Sequence, residues 1–274
     1  MSSIKYLKKR NASDERATKK YSLCAVIPTK DNIRTIRECL DSVKAVTNDI
    51  IVVDSGSTDG TIDLCVQYGA KVVRRPWPGM VKQRQFCLEQ AKDYDWILVL
   101  DSDESLDETL QNSIKDLTEK TIDPNIEAFT FNRKVWFLGG WLHHVFQPEH
   151  RLRVVRGGVA TVKGVGVDGL GGHDQLIVNG NVAHLPGTCK HDSWQDLDDM
   201  LRSYIRLGRR AAQYDPKPSK PYMILLNPLL AFIKQYCFKK GYKDGWRGFI
   251  ASAGVACGNM IKQLQKNEYR GTTK

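Results

Sequence analysis

Between residues 22 and 101, short apolar runs alternate with amphipathic stretches, and this alternation constrains the fold more than any other feature. Ser22-Leu-Cys-Ala-Val-Ile27 predicts a first strand, stopped by Pro28, with Thr29 to Asn32 as the turn. A helix to about Val46 follows, with Ile33, Ile36, Leu40 and Val43 on one face. Asp49-Ile-Ile-Val-Val-Asp54 is strand two and Ser55 to Gly60 a tight turn. Helix two runs from Thr61 to about Tyr68, Gly69 ends it, and Lys71-Val-Val-Arg74 is strand three. A helix from Gly79 through Ala91 leads to the strand that ends at Asp101. Strands and helices in this order predict a parallel α/β sheet with right-handed crossovers.

After residue 120 the pattern changes. Glu127 to Asn132 and Leu152 to Val155 read as strands, separated by the aromatic- and histidine-rich stretch Trp136 to His150. Residues 157–187 are glycine-rich, with a short strand at Leu176-Ile-Val178. Ser193 to Tyr214 predicts an amphipathic helix, with Leu197, Leu201, Tyr204, Gly208 and Ala211 on one face. Ser193 would be its N-cap and Asp196 the third position of a capping box.

The chemistry concentrates at strand ends. Trp96-Ile-Leu-Val-Leu-Asp-Ser-Asp-Glu104 closes an apolar strand with aspartates at i and i+2, which an extended backbone places on one side. Asp54 ends strand two in the same way, so Asp54, Asp101 and Asp103 should face the carboxyl edge of the sheet, where α/β proteins bind ligands. A turn or N-cap role accounts for any one of these acids alone. Together they favour a ligand: Asp54 and Asp101 can accept hydrogen bonds from a ribose or a base N–H, and the hard carboxylate oxygens of Asp101 and Asp103 suit Mg2+ or Mn2+ on a diphosphate. The turn Asp54-Ser-Gly-Ser-Thr-Asp-Gly60 lacks the Gly-Lys-Ser/Thr of a P-loop and the spacing of a dinucleotide fingerprint, so NAD chemistry has little support.

Ala25-Val-Ile-Pro-Thr29, Ile50-Ile-Val-Val-Asp-Ser-Gly-Ser-Thr-Asp-Gly-Thr61 and Ile97-Leu-Val-Leu-Asp-Ser-Asp-Glu104 resemble the inverting glycosyltransferases of family 2, over roughly residues 21–190. The resemblance implies a GT-A fold, α/β with a mostly parallel central sheet flanked by helices, and a helical C-terminal extension. It implies a nucleotide-sugar donor, UDP-linked by family weight, bound by Pro28, Thr29, Asp54, Asp101 and Ser102, with Asp103 holding Mn2+ or Mg2+. Lys30-Asp-Asn32 stands where the family usually has Tyr-Asn, which leaves that turn's geometry open.

Gly79-Met-Val-Lys-Gln-Arg84 is similar to a run in a subgroup that includes lipopolysaccharide core glucosyl- and heptosyl-type transferases. On that likeness Lys82 and Gln83 join the donor contacts. Lys82 and Arg84 at a helix start would otherwise be phosphate ligands or a solvated surface. The stretch from Phe131 to Trp141 and the strand His150-Arg-Leu-Arg-Val-Val-Arg156 resemble the same subgroup's acceptor region. Trp136 and Trp141 would stack on sugar or pack the rim, His143 and His144 would bind the acceptor or pack the loop, and Arg151 and Arg153 would meet phosphate on the donor or acceptor or lie on a solvated strand face. Alternation puts those two arginines together, opposite Leu152 and Val154. An inverting transfer needs one base to deprotonate the acceptor hydroxyl. The subgroup commonly shows His-Glu there. This chain has His173-Asp174, so Asp174 is the first candidate, with Asp168 and Glu149 as competitors. His184 resembles a late histidine that reaches the metal or diphosphate in related enzymes, and a hydrogen-bonded structural role accounts for it as well.

The domain reading is a basic arm at 1–20, a nucleotide-sugar-binding half at 21–120, an acceptor and catalytic-base half at 121–192, and a helical extension at 193–274. The net charge is +10, and residues 1–20 carry seven Lys or Arg against two acids. Such an arm suits anionic lipid, nucleic acid or simple solubility. No nucleic-acid recognition motif accompanies it. Seven scattered cysteines without a CxxC suit a reducing, cytoplasmic setting. The apolar segments Pro221 to Ile233 and Trp246 to Ile261 are too interrupted to span a bilayer. They lie on a membrane surface, pack on the catalytic domain, or form a homodimer interface. Three classes of function remain: a sugar transferase on a lipopolysaccharide core or lipid-linked glycan, the same chemistry on another polymer such as modified nucleic acid, and a non-catalytic nucleotide-sugar or glycan-binding module.

Overall fold

The computed structural model describes residues 20–165, 173–214 and 217–272. In chain order the elements are β1 (Leu23–Thr29), α1 (Ile36–Lys44), β2 (Asp49–Asp54), α2 (Thr61–Gln67), β3 (Lys71–Arg74), α3 (Met80–Gln90) and β4 (Trp96–Val99). Next come β5 (Glu104–Leu106), α4 (Glu108–Glu119), β6 (Ile126–Phe137), β7 (Gly140–Trp141), β8 (His150–Arg156), β9 (Thr161–Val165), β10 (His173–Ile177) and β11 (Asn181–His191). Three helices close the chain: α5 (Leu197–Tyr214), α6 (Pro221–Ile233) and α7 (Gly245–Thr272). A π-helical turn, Lys234–Phe238, and a 3-10 turn, Gly241–Asp244, connect α6 to α7.

The main sheet runs β3-β2-β1-β4-β8-β6-β11-β5, with β7 paired to β6. Pairing is parallel across β3, β2, β1 and β4, and antiparallel from β4 to β8 and from β8 to β6. This is a GT-A-like fold, a mixed central sheet flanked by helices. The chain steps outward from β1 to β2 and β3, then returns to place β4 on β1's other side. The switch point of the topology therefore lies between β1 and β4, the place where α/β sheets open a crevice for ligands.

Residues alternate cleanly between two cores. Leu23, Ala25 and Ile27 of β1 pack with Ile36, Leu40 and Val43 of α1 and Leu110, Ile114 and Leu117 of α4. Cys24 and Val26 turn the other way, against Cys87 and Leu88 of α3 and Val155 of β8. Both faces of the central strands are thus covered, as near-continuous apolar runs require.

Local readings shift in three places. Pro28 does not stop β1, which pairs with β2 through Thr29. The Val26 carbonyl accepts the Leu100 N–H, so even-numbered residues face β4, whose own pairing ends at Val26. The donor that proline lacks points where no partner strand remains. The first helix starts at Ile36, leaving Ile33 44% exposed in the preceding turn. α5 begins at Leu197 because Asp196 is the cap: its carboxylate accepts the Asp199 N–H at 2.9 Å, while the Ser193 hydroxyl bonds the His191 ring.

Two compact units are present. The first gathers the described residues up to 133, with 150–163 and 175–190. The second gathers 134–149, the described parts of 164–174, and 191 onward, around Val135, Phe137, Leu142, Val145, Met200 and Ala251.

Candidate active site

In the first unit, three neighbouring parallel strands deliver their carboxyl ends together. Thr29 ends β1 opposite Asp54 of β2, and Asp101 follows β4 on the far side of β1. Thr29 is 5% exposed, and its hydroxyl is buried with no hydrogen-bond partner among the described residues. The Asp54 carboxylate holds the next turn, accepting the Gly56 N–H and the Ser57 N–H at 3.0 Å and the Ser57 hydroxyl at 2.6 Å. Gly56 sits at φ 98°, where a side chain would strain the turn.

Asp101 and Asp103 do not share an extended backbone. Residues 101–104 form a turn: the Glu104 N–H donates to the Asp101 carbonyl at 3.0 Å, and the Glu104 carboxylate reaches back to the Asp101 N–H at 3.0 Å. Chain reversal, not strand alternation, sets where Asp103 points. Ser102 is buried inside the turn and Asp103 is half-buried.

Around the turn lies a network of three guanidiniums and two carboxylates. Arg84 donates to Asp101 at 2.8 Å, and Arg153 donates to Asp101 and to Glu104, both at 2.7 Å. Arg133 joins Glu104 at 3.1 Å. The Glu104 side chain is fully buried, whereas a quarter of the Asp101 side chain remains exposed. Burial alone would raise the Asp101 pKa, but Arg84, Arg153 and Arg133 outweigh it and hold the carboxyl well below the usual range.

Arg84 is therefore a buried partner of Asp101, neither a surface cation nor an open phosphate ligand. Arg153 is likewise not displayed toward an acceptor. The pairing of β8 with β6 runs Phe129 to Val154 and then Thr130 to Leu152, which makes Arg153 the extra residue of a β-bulge. The bulge breaks the expected alternation: Leu152 packs with the α3-side core, Val154 with the α1-side core, and Arg153 turns into the acidic network, away from the register of Arg151. Arg151 is half-buried on β8. Lys82 is exposed on the first turn of α3. Gln83 beside it is fully buried, donating to the Ser55 hydroxyl at 3.2 Å while its own carbonyl oxygen has no partner among the described residues. His184 lies on β11, its Nδ1 3.1 Å from the Thr130 hydroxyl and its ring edge-on to His150 at 4.8 Å. Desolvation by its neighbours and the His150 ring lower its pKa.

The second unit holds the aromatic residues. Trp136 and Trp141 face each other across the β6–β7 hairpin with rings at 84° and centroids 5.2 Å apart. The Lys134 ammonium stands 5.6 Å from the Trp141 ring and 3.3 Å from His143 Nδ1. His144 is bound to Asp244. The Asp244 carboxylate also accepts the N–H groups of His143, His144 and Val145 at 2.9–3.0 Å. Arg247 donates to the carbonyls of Leu138 and Gly139, the two hairpin residues. Glu149 precedes β8 and Asp174 is the second residue of β10, both half-buried; Asp168 lies outside the described residues. Glu104, Arg133, Asp244 and Arg247 were not singled out from sequence. Glu104 had a local signal in its position three residues after Asp101; the others act across spans that no motif encodes.

Among the described residues, no group of three His, Cys, Asp or Glu side chains stands together as a metal cage. A cation here would take Asp103 and complete its shell with substrate phosphate and water, as Mg2+ commonly does.

A GT-A-like sheet with acids at the carboxyl ends of its central strands is the scaffold of a sugar-nucleotide enzyme. A model of glycosyl transferase family 2 matches residues 24–158. An uncharacterized glycosyltransferase of Rickettsia bellii (strain RML369-C) is 45% identical over 264 residues, which is 93% of this chain and 88% of that protein. The chain belongs to glycosyl transferase family 2 and is an inverting glycosyltransferase of the GT-A type. The lipopolysaccharide core biosynthesis glycosyltransferase LpsC of Rhizobium meliloti (strain 1021) is 27% identical, over 84% of this chain and 86% of that one. A solved mannosyltransferase of Pyrobaculum calidifontis, in complex with GDP-Man and Mn2+, is 18% identical with a TM-score of 0.49, covering 89% of this chain and 87% of that chain.

Proposed function

We propose that this glycosyltransferase moves a sugar from a UDP-linked donor to a lipopolysaccharide core or another lipid-linked glycan, with a divalent cation on the donor diphosphate. The observation that carries the donor half is the convergence of Thr29, Asp54 and the Asp101–Asp103 turn at the switch point between β1 and β4. The buried, unsatisfied oxygens of Thr29 and Gln83 support the same site, because a bound nucleotide can supply the donors they lack. Asp103 offers the hard oxygen that Mg2+ or Mn2+ prefers, and such a cation would offset charge developing on the leaving diphosphate. The acceptor half rests on the Trp136–Trp141 hairpin and on the likeness to LpsC.

In this reading residues 21–120 serve the donor, 121–192 the acceptor and the base, and 193–274 form the extension. Asp174 takes the proton of the acceptor hydroxyl, which then attacks the anomeric carbon from the face opposite the leaving nucleotide. The five buried thiols are at home in a reducing, cytoplasmic setting at the inner face of a membrane. Among the described residues, no helix is long and apolar enough to cross a membrane.

Calorimetric titration with UDP, GDP, CDP and dTDP, with and without Mn2+, tests the donor. The expected result is Mn2+-dependent binding of UDP above the others, abolished in Asp103→Asn. Binding indifferent to the cation removes the metal from the reading, and a preference for GDP replaces the donor. For the base, Asp174→Asn should lower kcat by at least about 100-fold with donor affinity kept. Glu149→Gln or Asp168→Asn giving that loss instead reassigns the role.

A further inference from the structure

The C-terminal part of the second unit carries an apolar surface that sugar transfer does not use. α6 reads Pro-Tyr-Met-Ile-Leu-Leu-Asn-Pro-Leu-Leu-Ala-Phe-Ile, with no charged residue along its length. At about 3.6 residues per turn, Tyr222, Leu225, Leu226 and Leu229 fall on one face. They are 56, 69, 44 and 56% exposed. Pro228 lies off this face and is buried, and α6 packs on α7. Exposure continues through the connector into α7, with Phe238 at 79%, Tyr242 at 51% and Trp246 at 56%. The connector is ordered by its own rings, since Tyr236 contacts Phe232, Tyr242 and Phe249 at 5.2–6.3 Å between centroids. Exposed apolar side chains gathered on one helix and its connector in this way mark an interaction site.

The charge around the patch identifies the occupant. Residues 217–267 contain nine Lys or Arg and one acid, Asp244. The Asp244 side chain is 1% exposed and bound to the 143–145 loop, so this stretch presents no acid to solvent. Lys220 and Lys234 bracket α6 at its two ends, and Lys240 and Lys243 flank the aromatic connector; all four are exposed. An isologous contact with a second copy would set this cationic rim against itself. An anionic bilayer answers both features, with acyl chains for the leucines, the interface for Trp and Tyr, and headgroup phosphates for the lysines.

We propose that α6 and the α6–α7 connector dock this protein on an anionic lipid bilayer, with the Leu225–Leu229 face in the acyl boundary. The proposal stands independently of the acceptor's identity.

Flotation of the full chain with vesicles tests it, comparing phosphatidylcholine alone with an equal mixture of phosphatidylcholine and phosphatidylglycerol. The wild type should float with the mixed vesicles, weakly with phosphatidylcholine, and less as salt is raised. The double variant Leu225→Glu/Leu229→Glu changes only exposed positions and should lose at least about tenfold in vesicle affinity. Lys240→Glu/Lys243→Glu should lose the preference for the anionic mixture. Unchanged circular dichroism and nucleotide binding show that the variants fold. No flotation of the wild type, or equal flotation on both vesicles, overturns the proposal. So does a dimer in light scattering that the leucine variants convert to monomer while vesicles remain unbound.

Discussion

At the scale of single residues, the buried network beside the Asp101–Glu104 turn dominates. Glu104 is fully buried against Arg133 and Arg153, so removing its charge takes a carboxylate from both guanidiniums in a site that admits little water. Glu104→Gln should cost about 3–5 kcal/mol of unfolding free energy, read from urea denaturation. Asp101 gives a pH signature. Its folded pKa is depressed, so its contribution is complete above the unfolded value of about 3.9 and drains away as pH falls below it. Urea midpoints should therefore fall between about pH 5 and pH 3, and fall less steeply in Asp101→Asn. Asp54, Asp101 and Asp103 were visible in sequence because each follows an apolar run. Arg84 and Arg153 looked like surface cations, since a guanidinium reads the same in sequence whether it meets water or a buried carboxylate.

At the scale of elements, the β6–β7 hairpin turns through Leu138 and Gly139, both at positive φ, 51° and 73°. Positive φ at both central residues is the twist-matched two-residue hairpin geometry, and it is costly for leucine. Arg247 holds it through the two carbonyls, and a Cβ at Gly140 would lie 2.7 Å from the guanidinium and push it off those carbonyls. Arg247→Ala should lower stability by about 1–3 kcal/mol in chemical denaturation. If the hairpin binds acceptor, the same change raises the acceptor KM and leaves the donor KM alone. Asp244 does similar work for the 143–145 loop with three backbone N–H bonds, and Asp244→Ala should shift the same constant. The bulge at Arg153 belongs to this scale too. Period-two reasoning was sound for a regular strand and failed because one inserted residue reverses every side chain beyond it.

At the scale of the whole molecule, the alternating strands and helices of the first hundred residues read almost directly from sequence, because parallel strands covered on both faces must be continuous apolar runs. The cysteines follow from the same packing. Cys24, Cys39, Cys65, Cys87 and Cys189 are buried, while Cys237 and Cys257 are exposed. Burial pushes the thiols of Cys24 and Cys87 up to about 12 and that of Cys65 to about 11. An aromatic disulfide reagent should therefore titrate two thiols rapidly in the native protein and all seven after denaturation.

By itself the sequence determined the strand–helix order, the acids at the strand ends and the family. These depend on local periodicity and on short motifs whose residues act within a few positions of one another. Tertiary structure alone decided that Arg84, Arg133 and Arg153 meet at Asp101 and Glu104, and that Asp244 and Arg247 hold a hairpin and loop about a hundred residues away. It also decided that the leucines of α6 face outward. An apolar helix carries the same letters whether its face is buried or bare, and only the packing of the rest of the chain settles which.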